Sequence, residues 1–315
     1  MLTSARPAVT RPALTTTVAK EYVHRAALSE VFLTGWEQAG PDAFTVTAQW
    51  PRSHSFYGSE HGWYDPLLLC ETVRQTFPLL AHVAYGVPFG YQLSWSRLQY
   101  AVDPRALRIE TAPADVDVHA VFSDIRSSRS LPTMMTVHLE VVRAGVLVAT
   151  ASTRFGCHSP AVYQRLRGER GHTAAVFAGA PRPPRAVARA SVGRRLAQDV
   201  VLSPATGEGR WRLRADTAHP VLFDHAVDHV PGMVLLEAVR QAGHACQGGV
   251  GAWTPTSMDI SFHRYVEFDT PCWIEAGPRE ERTAPAPRRT VRISGRQGGT
   301  PAFSATAEMT DVHSL

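Results

Sequence analysis

The sequence of 315 residues lacks the features that would assign a membrane or export function. No apolar run approaches the roughly 20 residues that cross a bilayer, so no membrane-spanning helix is predicted. Residues 1–17 lack the apolar core of a signal peptide and are predicted to form a flexible tail. We therefore expect a soluble, cytoplasmic protein that does not bind membranes.

Cysteine and charge are also scarce. None of the four cysteines forms a C-x-x-C pair, so we expect buried reduced thiols and neither a zinc site nor a disulfide framework. A net charge of +4, with Lys20 the one lysine among 32 basic residues, does not indicate a nucleic-acid partner. Glycine-rich phosphate loops and G-x-S-x-G elbows are missing, so no motif supports nucleotide-dependent or serine-hydrolase chemistry, and no cofactor is predicted.

An internal repeat is the most informative feature that the sequence does contain. The pattern Glu-x-Val-Arg-Gln occurs at 71–75 and again at 237–241, an offset of 166 residues. Two further matches keep the same order at nearly the same offset: Ser94–Arg97 with Ser261–Arg264, and His54 with His219. Matches in one order at one offset indicate a tandem duplication of a domain-sized unit.

Each half predicts the same order of secondary structure. Residues 43–50 and 211–215 alternate in polarity like strands, and long helices are predicted over 65–84 and 231–247. Antiparallel hairpins follow each helix, the first turning at Arg143–Gly145. A single apolar helix wrapped by a curved antiparallel sheet is the hotdog arrangement.

The predicted fold is therefore α+β, with two tandem hotdog domains packed as a pseudo-dimer. The first repeat is predicted over residues 18–168 and the second over 191–315. Residues 169–190 between them are rich in Pro, Arg and Ala and are predicted to form a semi-rigid linker.

The two predicted helices carry the same polar face, because residues at i, i+3 and i+4 lie side by side. Its members are Glu71, Arg74 and Gln75 in the first repeat, and Glu237, Arg240 and Gln241 in the second. One interpretation is a structural Glu–Arg pair. The other is a carboxylate inside a pocket that serves as general base, beside an arginine that binds a phosphate or polarises a carbonyl.

A loop rich in histidine and aspartate precedes the second helix. It contains Asp224, His225, Asp228 and His229, and it ends at Pro231–Gly232. Acid–base groups facing a substrate pocket are the favoured interpretation, and structural hydrogen bonding is the alternative. No metal is predicted, because a proline-flanked loop does not present His225 and His229 on one face as a helix would.

The stretch from Phe223 to Ala238 resembles the active-site segment of hotdog dehydratases that act on 3-hydroxyacyl carrier proteins. Those enzymes carry a histidine, then Pro-Gly, then Glu-Ala on the central helix. Alignment on Pro231–Gly232 places Phe223 where the dehydratase histidine stands, and His225 comes two residues later. This departure argues against a dehydratase.

A fuller resemblance is to the A-factor (AfsA-type) family, which makes γ-butyrolactone autoregulators in actinomycetes. It extends from about Val18 to Thr310, and the matching stretches are His219–His225, Asp228–Ala238, Arg264–Cys272 and Cys157–Arg167. The resemblance implies two degenerate hotdog repeats. It also implies transfer of a β-ketoacyl group from an acyl carrier protein to the hydroxyl of dihydroxyacetone phosphate, in the biosynthesis of a γ-butyrolactone, butenolide or furan-type signal.

The candidate residues suit that chemistry, and the main site is predicted beside Glu237 because the second repeat keeps Pro-Gly and the His/Asp loop. The predicted catalytic residues are Glu237, Arg240, Glu71 and His225. The predicted substrate-binding residues are Arg74, Gln75, Gln241, Arg264, Arg97, Asp224, His229 and Gly232. Gly232 begins the helix, whose backbone N–H groups suit a thioester oxyanion, and the arginines suit a substrate phosphate.

Three alternative functions remain open at this stage. A hotdog thioesterase or dehydratase would need no phosphate acceptor. A non-catalytic regulator would bind an acyl or lactone signal, and a scaffold would hold a biosynthetic complex together. The sequence also leaves open the acyl chain, the final product and whether the pseudo-dimer forms a homodimer.

Overall fold

The computed structural model describes residues 16–58, 61–249, 251–278 and 288–314. The predicted tail, residues 1–17, lies outside the described residues except for its last two positions. The first repeat is built from β1 (Leu33–Gly40), β2 (Ala43–Trp50), α1 (Pro66–Val83), β3 (Gln92–Val102), β4 (Ala114–Ser128), β5 (Leu131–Arg143) and β6 (Val146–His158).

A connecting segment follows β6 and contains two short helices, α2 (Pro160–Arg167) and α3 (Thr173–Ala178). The second repeat is built from β7 (Leu202–Pro204), β8 (Arg210–Leu213), α4 (Gly232–Ala245), β9 (Trp253–Phe262), β10 (Cys272–Pro278), β11 (Arg288–Gln297) and β12 (Thr300–Asp311). The predicted linker thus carries α3, and short 3-10 helices at Gly168–Gly171 and Arg189–Val192 lie at its two ends.

All twelve strands form one sheet in the order β1-β2-β4-β5-β6-β3-β9-β12-β11-β10-β8-β7. The order of the second half repeats that of the first when it is read from the opposite end. The two halves join where β3 pairs with β9, with Gln99 opposite Asp259. This continuous pseudo-twofold sheet confirms the prediction of two tandem hotdog repeats.

The strands and turns form for local reasons that the sequence displays. Alternate residues of β4 are buried from Ala114 to Phe122, so one face covers the core and the other meets solvent. The β5–β6 hairpin turns at Ala144 and Gly145, both with positive φ, as a tight right-twisted hairpin requires. The predicted turn at Arg143–Gly145 is therefore confirmed.

The central helices are almost completely buried. Helix α1 packs against β1, β2, β3 and β9, whereas α4 packs against β7 and β9 to β12, and the two helices touch each other. Of the four cysteines, Cys70, Cys157 and Cys272 are buried free thiols and Cys246 is partly exposed. Among the described residues, no helix is long and apolar enough to cross a membrane.

His54 and His219 confirm the duplication at the level of single atoms. Nδ1 of His54 accepts hydrogen bonds from the N–H groups of Phe56 and Tyr57. Nδ1 of His219 accepts them from Val221 and Leu222. Both rings also approach a carboxylate through Nε2, at 3.3 and 3.2 Å. Each histidine therefore shapes the same loop in its own repeat.

Candidate active site

The polar face of α1 that recurs in α4 forms a closed ionic cluster. Glu71 is fully buried and binds the guanidinium groups of Arg25 and Arg74, each at 2.7 Å, while Gln75 donates a third hydrogen bond at 2.7 Å. Burial alone would raise the pKa of Glu71, but Arg25 and Arg74 lower it to about 2. The carboxylate is therefore ionised and fully occupied.

Helix α4 carries the same cluster. Glu237 is fully buried and binds Arg194 at 2.5 Å and Arg240 at 2.6 Å, and Gln241 donates to the same carboxylate. Burial would raise the pKa of Glu237, but the two guanidinium groups lower it to about 2. A carboxylate with so low a pKa is a weak general base at neutral pH.

Each cluster also links the two repeats. Arg25 donates to the carbonyl of Val221 in the second repeat, at 3.1 Å. Arg194 donates to the carbonyl of Phe56 in the first repeat, at 2.7 Å. The sequence analysis missed Arg25 and Arg194, although the repeated tripeptide pattern Val-x-Arg at 23–25 and 192–194 was a signal that could have found them.

The main cavity of the molecule, about 890 Å³, lies at the N-terminal end of α4. Both repeats contribute to its lining. Six of the predicted site residues line it: Arg74, Asp224, His225, His229, Gly232 and Arg264. The other six do not: Glu71, Gln75, Arg97, Glu237, Arg240 and Gln241. The structure thus pairs the His/Asp loop of the second repeat with Arg74 of the first, and not with Arg240 beside Glu237 as predicted.

Arg97 lies away from this cavity for a structural reason. A bulge between Trp95 and Arg97 interrupts the register of β3, and Trp95 lines the cavity. Arg97 is half-exposed and forms a bidentate pair with Asp259 on β9, at 2.7 and 3.0 Å. It therefore joins the two halves of the sheet at the surface, outside the lining of the main cavity, and its role as a substrate ligand stays a prediction.

A histidine–aspartate pair faces the main cavity. Nδ1 of His229 lies 2.6 Å from Asp228, whose carboxylate also accepts hydrogen bonds from Tyr163 and Arg167. Burial would raise the pKa of Asp228, but hydrogen bonds from His229 and Tyr163 and the charge of Arg167 lower it to about 2. Because an ionised carboxylate only accepts, Nδ1 of His229 carries a proton, and Nε2 is the atom of this ring that can accept another.

A second pair, His225 with Asp224, has a different environment. Nδ1 of His225 lies 2.5 Å from Asp224, and its ring is about half exposed. Asp224 is held by Arg25 at 3.4 Å and by the N–H of Ala26 at 2.9 Å. Burial would raise the pKa of Asp224, but these contacts lower it well below its usual range. Asp224 thus fastens the loop to the first repeat.

A third pair joins two histidines behind Arg74. His82 donates through Nδ1 to the carbonyl of Val87, at 2.6 Å, because a carbonyl only accepts. The other nitrogen of His82, Nε2, therefore accepts a hydrogen bond from the Nε2–H of His24, at 2.8 Å. In the neutral form of His24 the proton is on Nε2, so Nδ1 carries none. Burial and the neighbouring positive groups lower the pKa of His24 to about 3. His24 lines the cavity as a neutral acceptor, which the sequence analysis did not predict.

Several guanidinium groups line the main cavity. Arg74 lines it with part of its side chain exposed, and Arg170 and Arg264 lie on its more open side. Arg170 pairs with Glu267 and Asp269, at 3.6 and 3.3 Å. Within the described ranges, the Arg264 side chain forms no hydrogen bond or ion pair. A cavity with such groups suits a phosphate-bearing ligand.

The start of α4 offers free backbone donors to this cavity. Gly232 and Met233 line the cavity, and their N–H groups have no acceptor in the described part of the chain. Gly232 is required there because a Cβ would lie 2.8 Å from the ring of Trp95. Helix α1 differs at the matching end, since the side chain of Asp65 accepts from Leu67 and Pro66 has no N–H.

A smaller cavity of about 270 Å³ occupies the pseudo-symmetric position beside Asp65. Arg194 and Arg240 line it, in the places that Arg25 and Arg74 take in the main cavity. His244 also lines it and packs against Gly193, where a Cβ would lie 2.9 Å from the ring. Asp65 caps the start of α1, and the His244 side chain occupies space in the smaller cavity. The main cavity is therefore the larger of the two.

The described residues contain no group of three His, Cys, Asp or Glu side chains that is arranged to hold a metal ion. The main cavity itself offers several reactive and binding groups. It combines an oriented imidazole, unpaired backbone donors and several guanidinium groups. That combination supports attack on a carbonyl carbon together with binding of an anion.

Comparisons with known proteins show the family of the chain. The chain matches the family described as "A-factor biosynthesis hotdog domain" (AfsA) over residues 8–159 and 178–312. It is 47% identical over 292 residues to a "2-oxo-3-(phosphooxy)propyl 3-oxoalkanoate synthase" of Streptomyces virginiae, covering 92% of this chain and 97% of that protein. A protein of the same name from Streptomyces coelicolor is 42% identical over 289 residues, covering 90% of this chain and 88% of that protein.

Solved structures support the fold. A 12:0-ACP thioesterase from Umbellularia californica superposes with a TM-score of 0.51 at 12% identity, covering 87% of this chain and 99% of that one. A putative oleoyl thioesterase from Lactobacillus plantarum superposes with a TM-score of 0.50 at 12% identity, covering 86% of this chain and 97% of that one. At this identity the likeness concerns the arrangement of helices and strands.

Proposed function

Because the chain belongs to the AfsA family of A-factor biosynthesis hotdog proteins, we propose that it makes a 2-oxo-3-(phosphooxy)propyl 3-oxoalkanoate, the compound in the names of its Streptomyces relatives. That compound is the ester of a 3-oxo fatty acid with dihydroxyacetone phosphate. The protein is thus an acyltransferase, and its substrates are a β-ketoacyl thioester and dihydroxyacetone phosphate. The acyl donor is proposed to be carried by an acyl carrier protein.

One observation carries this function: the main cavity joins an imidazole base, free N–H groups and guanidinium groups from both repeats. In the proposed step, the hydroxyl oxygen of dihydroxyacetone phosphate attacks the thioester carbonyl carbon, and His229 Nε2 accepts the hydroxyl proton. The C–S bond then breaks, and the thiolate takes a proton from the imidazolium. An ester and a free thiol result, so no oxidant or external cofactor enters the balance.

The remaining roles follow from position. The N–H groups of Gly232 and Met233 are proposed to stabilise the oxyanion that forms on the thioester carbonyl. Arg74 is proposed to bind the phosphate, since a guanidinium forms strong charge-assisted hydrogen bonds with it. Asp228 holds the His229 ring in the reactive tautomer. His225, exposed at the loop surface, is not needed as the base in this scheme.

Glu71 and Glu237 are proposed as positioning residues and not as the general bases that the sequence predicted. Glu71 holds Arg25 and Arg74, and both of these line the main cavity. Glu237 holds Arg194 and Arg240, which line the smaller cavity. Either carboxylate would have to leave two guanidinium groups before it could accept a proton.

The product carries the groups for the next reaction. The methylene between the two carbonyls of the 3-oxoacyl chain is acidic and lies within reach of the ketone of the three-carbon unit. Condensation of these groups with loss of water closes a butenolide ring. This step places the enzyme at the start of a route to butyrolactone-type signals.

The test is mass spectrometry of the purified protein with a synthetic β-ketoacyl thioester, with and without dihydroxyacetone phosphate. We expect an acylated phosphate that forms only when both substrates are present. Free β-keto acid formed equally with and without the acceptor would instead identify a thioesterase, the activity of the proteins named in the structural comparison. Binding of the acyl compound without turnover, with the synthetic donor and with a carrier-bound donor alike, would favour a non-catalytic regulator that binds an acyl or lactone signal.

A further inference from the structure

Helix α2 presents an exposed apolar strip at the entrance of the main cavity. Val162 and Leu166, one turn apart, are 41% and 60% exposed, and Leu166 also lines the cavity. Exposed aliphatic side chains beside the entrance of a substrate cavity are typical of a contact surface. Residues 160–166 therefore form an exposed surface beside the main cavity, which we call the α2 surface.

A neighbouring, buried face of α2 fixes this surface to the His/Asp loop. Tyr163 and Arg167 are buried one turn apart, and both donate to the carboxylate of Asp228. Arg167 also forms a bidentate pair with Glu267, at 2.6 and 2.8 Å, and lies 4.3 Å from the centre of the Tyr265 ring. The helix thus sits rigidly beside the residue that orients His229.

Side chains of both signs surround the α2 surface, since Glu169, one turn after Arg165, is 98% exposed and pairs with His172 at 3.5 Å. Arg165 on α2 and Arg264 at the cavity entrance are exposed, and neither side chain has a carboxylate partner among the residues that the structure describes. Arg170, one turn beyond α2, is about half exposed and is shared between Glu267 and Asp269. An acidic partner would supply the missing counter-charges to Arg165 and Arg264.

We propose that the α2 surface, together with Arg264, is the docking site for an acidic acyl carrier protein, which inserts its thioester arm into the main cavity. This inference rests on the proposed function. Apolar contact with Val162 and Leu166 would hold an aliphatic group of the carrier, and Arg165 and Arg264 would pair with its carboxylates. Two aliphatic side chains are far too few for a stable homodimer, which buries about 2,000 Å² or more.

The decisive experiment compares two donors with the same β-ketoacyl group, one on holo-acyl carrier protein and one on N-acetylcysteamine. Initial rates are measured with dihydroxyacetone phosphate for the wild type, Arg165→Glu and Val162→Asp. Arg105→Glu is the matched control, because Arg105 is exposed, lies outside the cavity lining and carries no ion pair in the described ranges.

We expect both α2 variants to raise the KM for the carrier-bound donor roughly tenfold, while kcat/KM for the N-acetylcysteamine donor stays unchanged. Added salt should raise the KM for the carrier-bound donor in the wild type and less so in Arg165→Glu. Arg105→Glu should behave as the wild type with both donors. Unchanged kinetics in both variants, or equal losses with both donors, would overturn the docking site.

Binding measurements separate this inference from the proposed function. Calorimetric titration with holo-carrier protein should give a weaker Kd for Arg165→Glu than for the wild type, even if neither thioester reacts. Absence of turnover with both donors would end the proposed acyl transfer and leave this titration to decide the docking. A wild-type dimer that Val162→Asp dissociates, seen by light scattering, would assign the α2 surface to self-association and overturn the proposal.

Discussion

At the scale of single residues, buried charge in this protein serves two different purposes. Glu71 and Glu237 each bind two guanidinium groups and a glutamine, so their oxygens have no capacity left for substrate. Asp228, by contrast, leaves one side of its histidine partner free towards the cavity. A carboxylate that orients a base is a more plausible catalytic element here than a carboxylate locked between arginines.

His229 is the residue whose loss should reduce catalysis most. We expect His229→Asn to lower kcat by roughly 10²- to 10⁴-fold, the usual contribution of a general base, with little change in thermal stability. Asp228→Asn should also lower kcat, because the ring loses its fixed tautomer. The measurement is the initial rate with saturating donor and acceptor, with His263→Ala as a control at the exposed rim. A His229→Asn enzyme of normal kcat would remove the histidine from the mechanism.

The two buried glutamates should differ in their effect on activity. Because Glu71 holds two arginines of the main cavity, Glu71→Gln should lower kcat/KM more than Glu237→Gln, when both are compared per folded molecule. The folded fraction is obtained from tryptophan fluorescence before each assay. A larger loss of kcat/KM in Glu237→Gln than in Glu71→Gln would support the prediction from sequence that the main site lies beside Glu237.

The same carboxylates should make stability depend on pH. Their pKa values are about 2 in the folded protein, below the ordinary value of 4.5. Each therefore contributes stability above pH 4.5, about 3 kcal/mol per group, which is lost as the pH falls towards 2. Urea unfolding at several pH values should show this loss, and it should be smaller in Glu237→Gln. The control Glu140→Gln, an exposed site without an ion pair in the described residues, should match the wild type.

At the scale of elements, the beginnings of α1 and α4 decide which end of the pseudo-dimer is open. Asp65 caps α1 with its own carboxylate, whereas Pro231 leaves the first N–H groups of α4 without a side-chain cap. The negative charge of Asp65 would also oppose an oxyanion at that helix start. The two helices share their polar face. They differ at their first residues, where the proposed reaction needs a backbone N–H group that donates a hydrogen bond.

Gly232 is the position at which α4 should be most sensitive. In Gly232→Ala, the added methyl would lie 2.8 Å from the Trp95 ring, so the helix start or the ring must shift. A displacement near 1 Å should lower kcat by about 10²-fold. Gly277→Ala is the matched control, because its added methyl meets no atom within 4 Å. A fully active Gly232→Ala enzyme would show that the backbone donors at this helix start are dispensable.

Much of this arrangement was accessible from the sequence, because the duplication is visible in local patterns. Glu-x-Val-Arg-Gln located both central helices, and the alternation of residues 43–50 located β2. The partners Arg25 and Arg194 were missed, since they lie more than 40 residues before their glutamates and meet them only after the chain has folded. The pairing of Arg74 with the His229 loop was missed for the same reason, because it depends on how two repeats pack.

At the scale of the whole molecule, the continuous sheet and the two crossing arginines make the repeats one structural unit. Arg25 and Arg194 each bind a loop of the other repeat, and β3 joins β9 across the middle. We expect urea unfolding to give a single transition by far-ultraviolet circular dichroism and by tryptophan fluorescence, since tryptophans occur in both repeats. Two separated transitions would show that the repeats are independent domains.

The unequal cavities predict one active site per chain. Calorimetric titration with a non-hydrolysable β-ketoacyl thioether analogue should give a stoichiometry of one, although the fold contains two helix starts. Asp65→Ala should leave that stoichiometry unchanged and lower stability by about 1 kcal/mol through loss of the cap. A stoichiometry of two in the wild type would make the smaller cavity a second working site.

The covalent joining of the repeats has a consequence for how such an enzyme can change. In a homodimer every substitution appears twice, so a side chain that improves one end is imposed on the other. Here Asp65 and its counterpart Pro231 are encoded separately, and so are His24 and its counterpart Gly193. One half can be optimised for reaction while its twin is optimised for holding that half in shape. Fusion of the two repeats in one chain therefore allows each repeat to specialise.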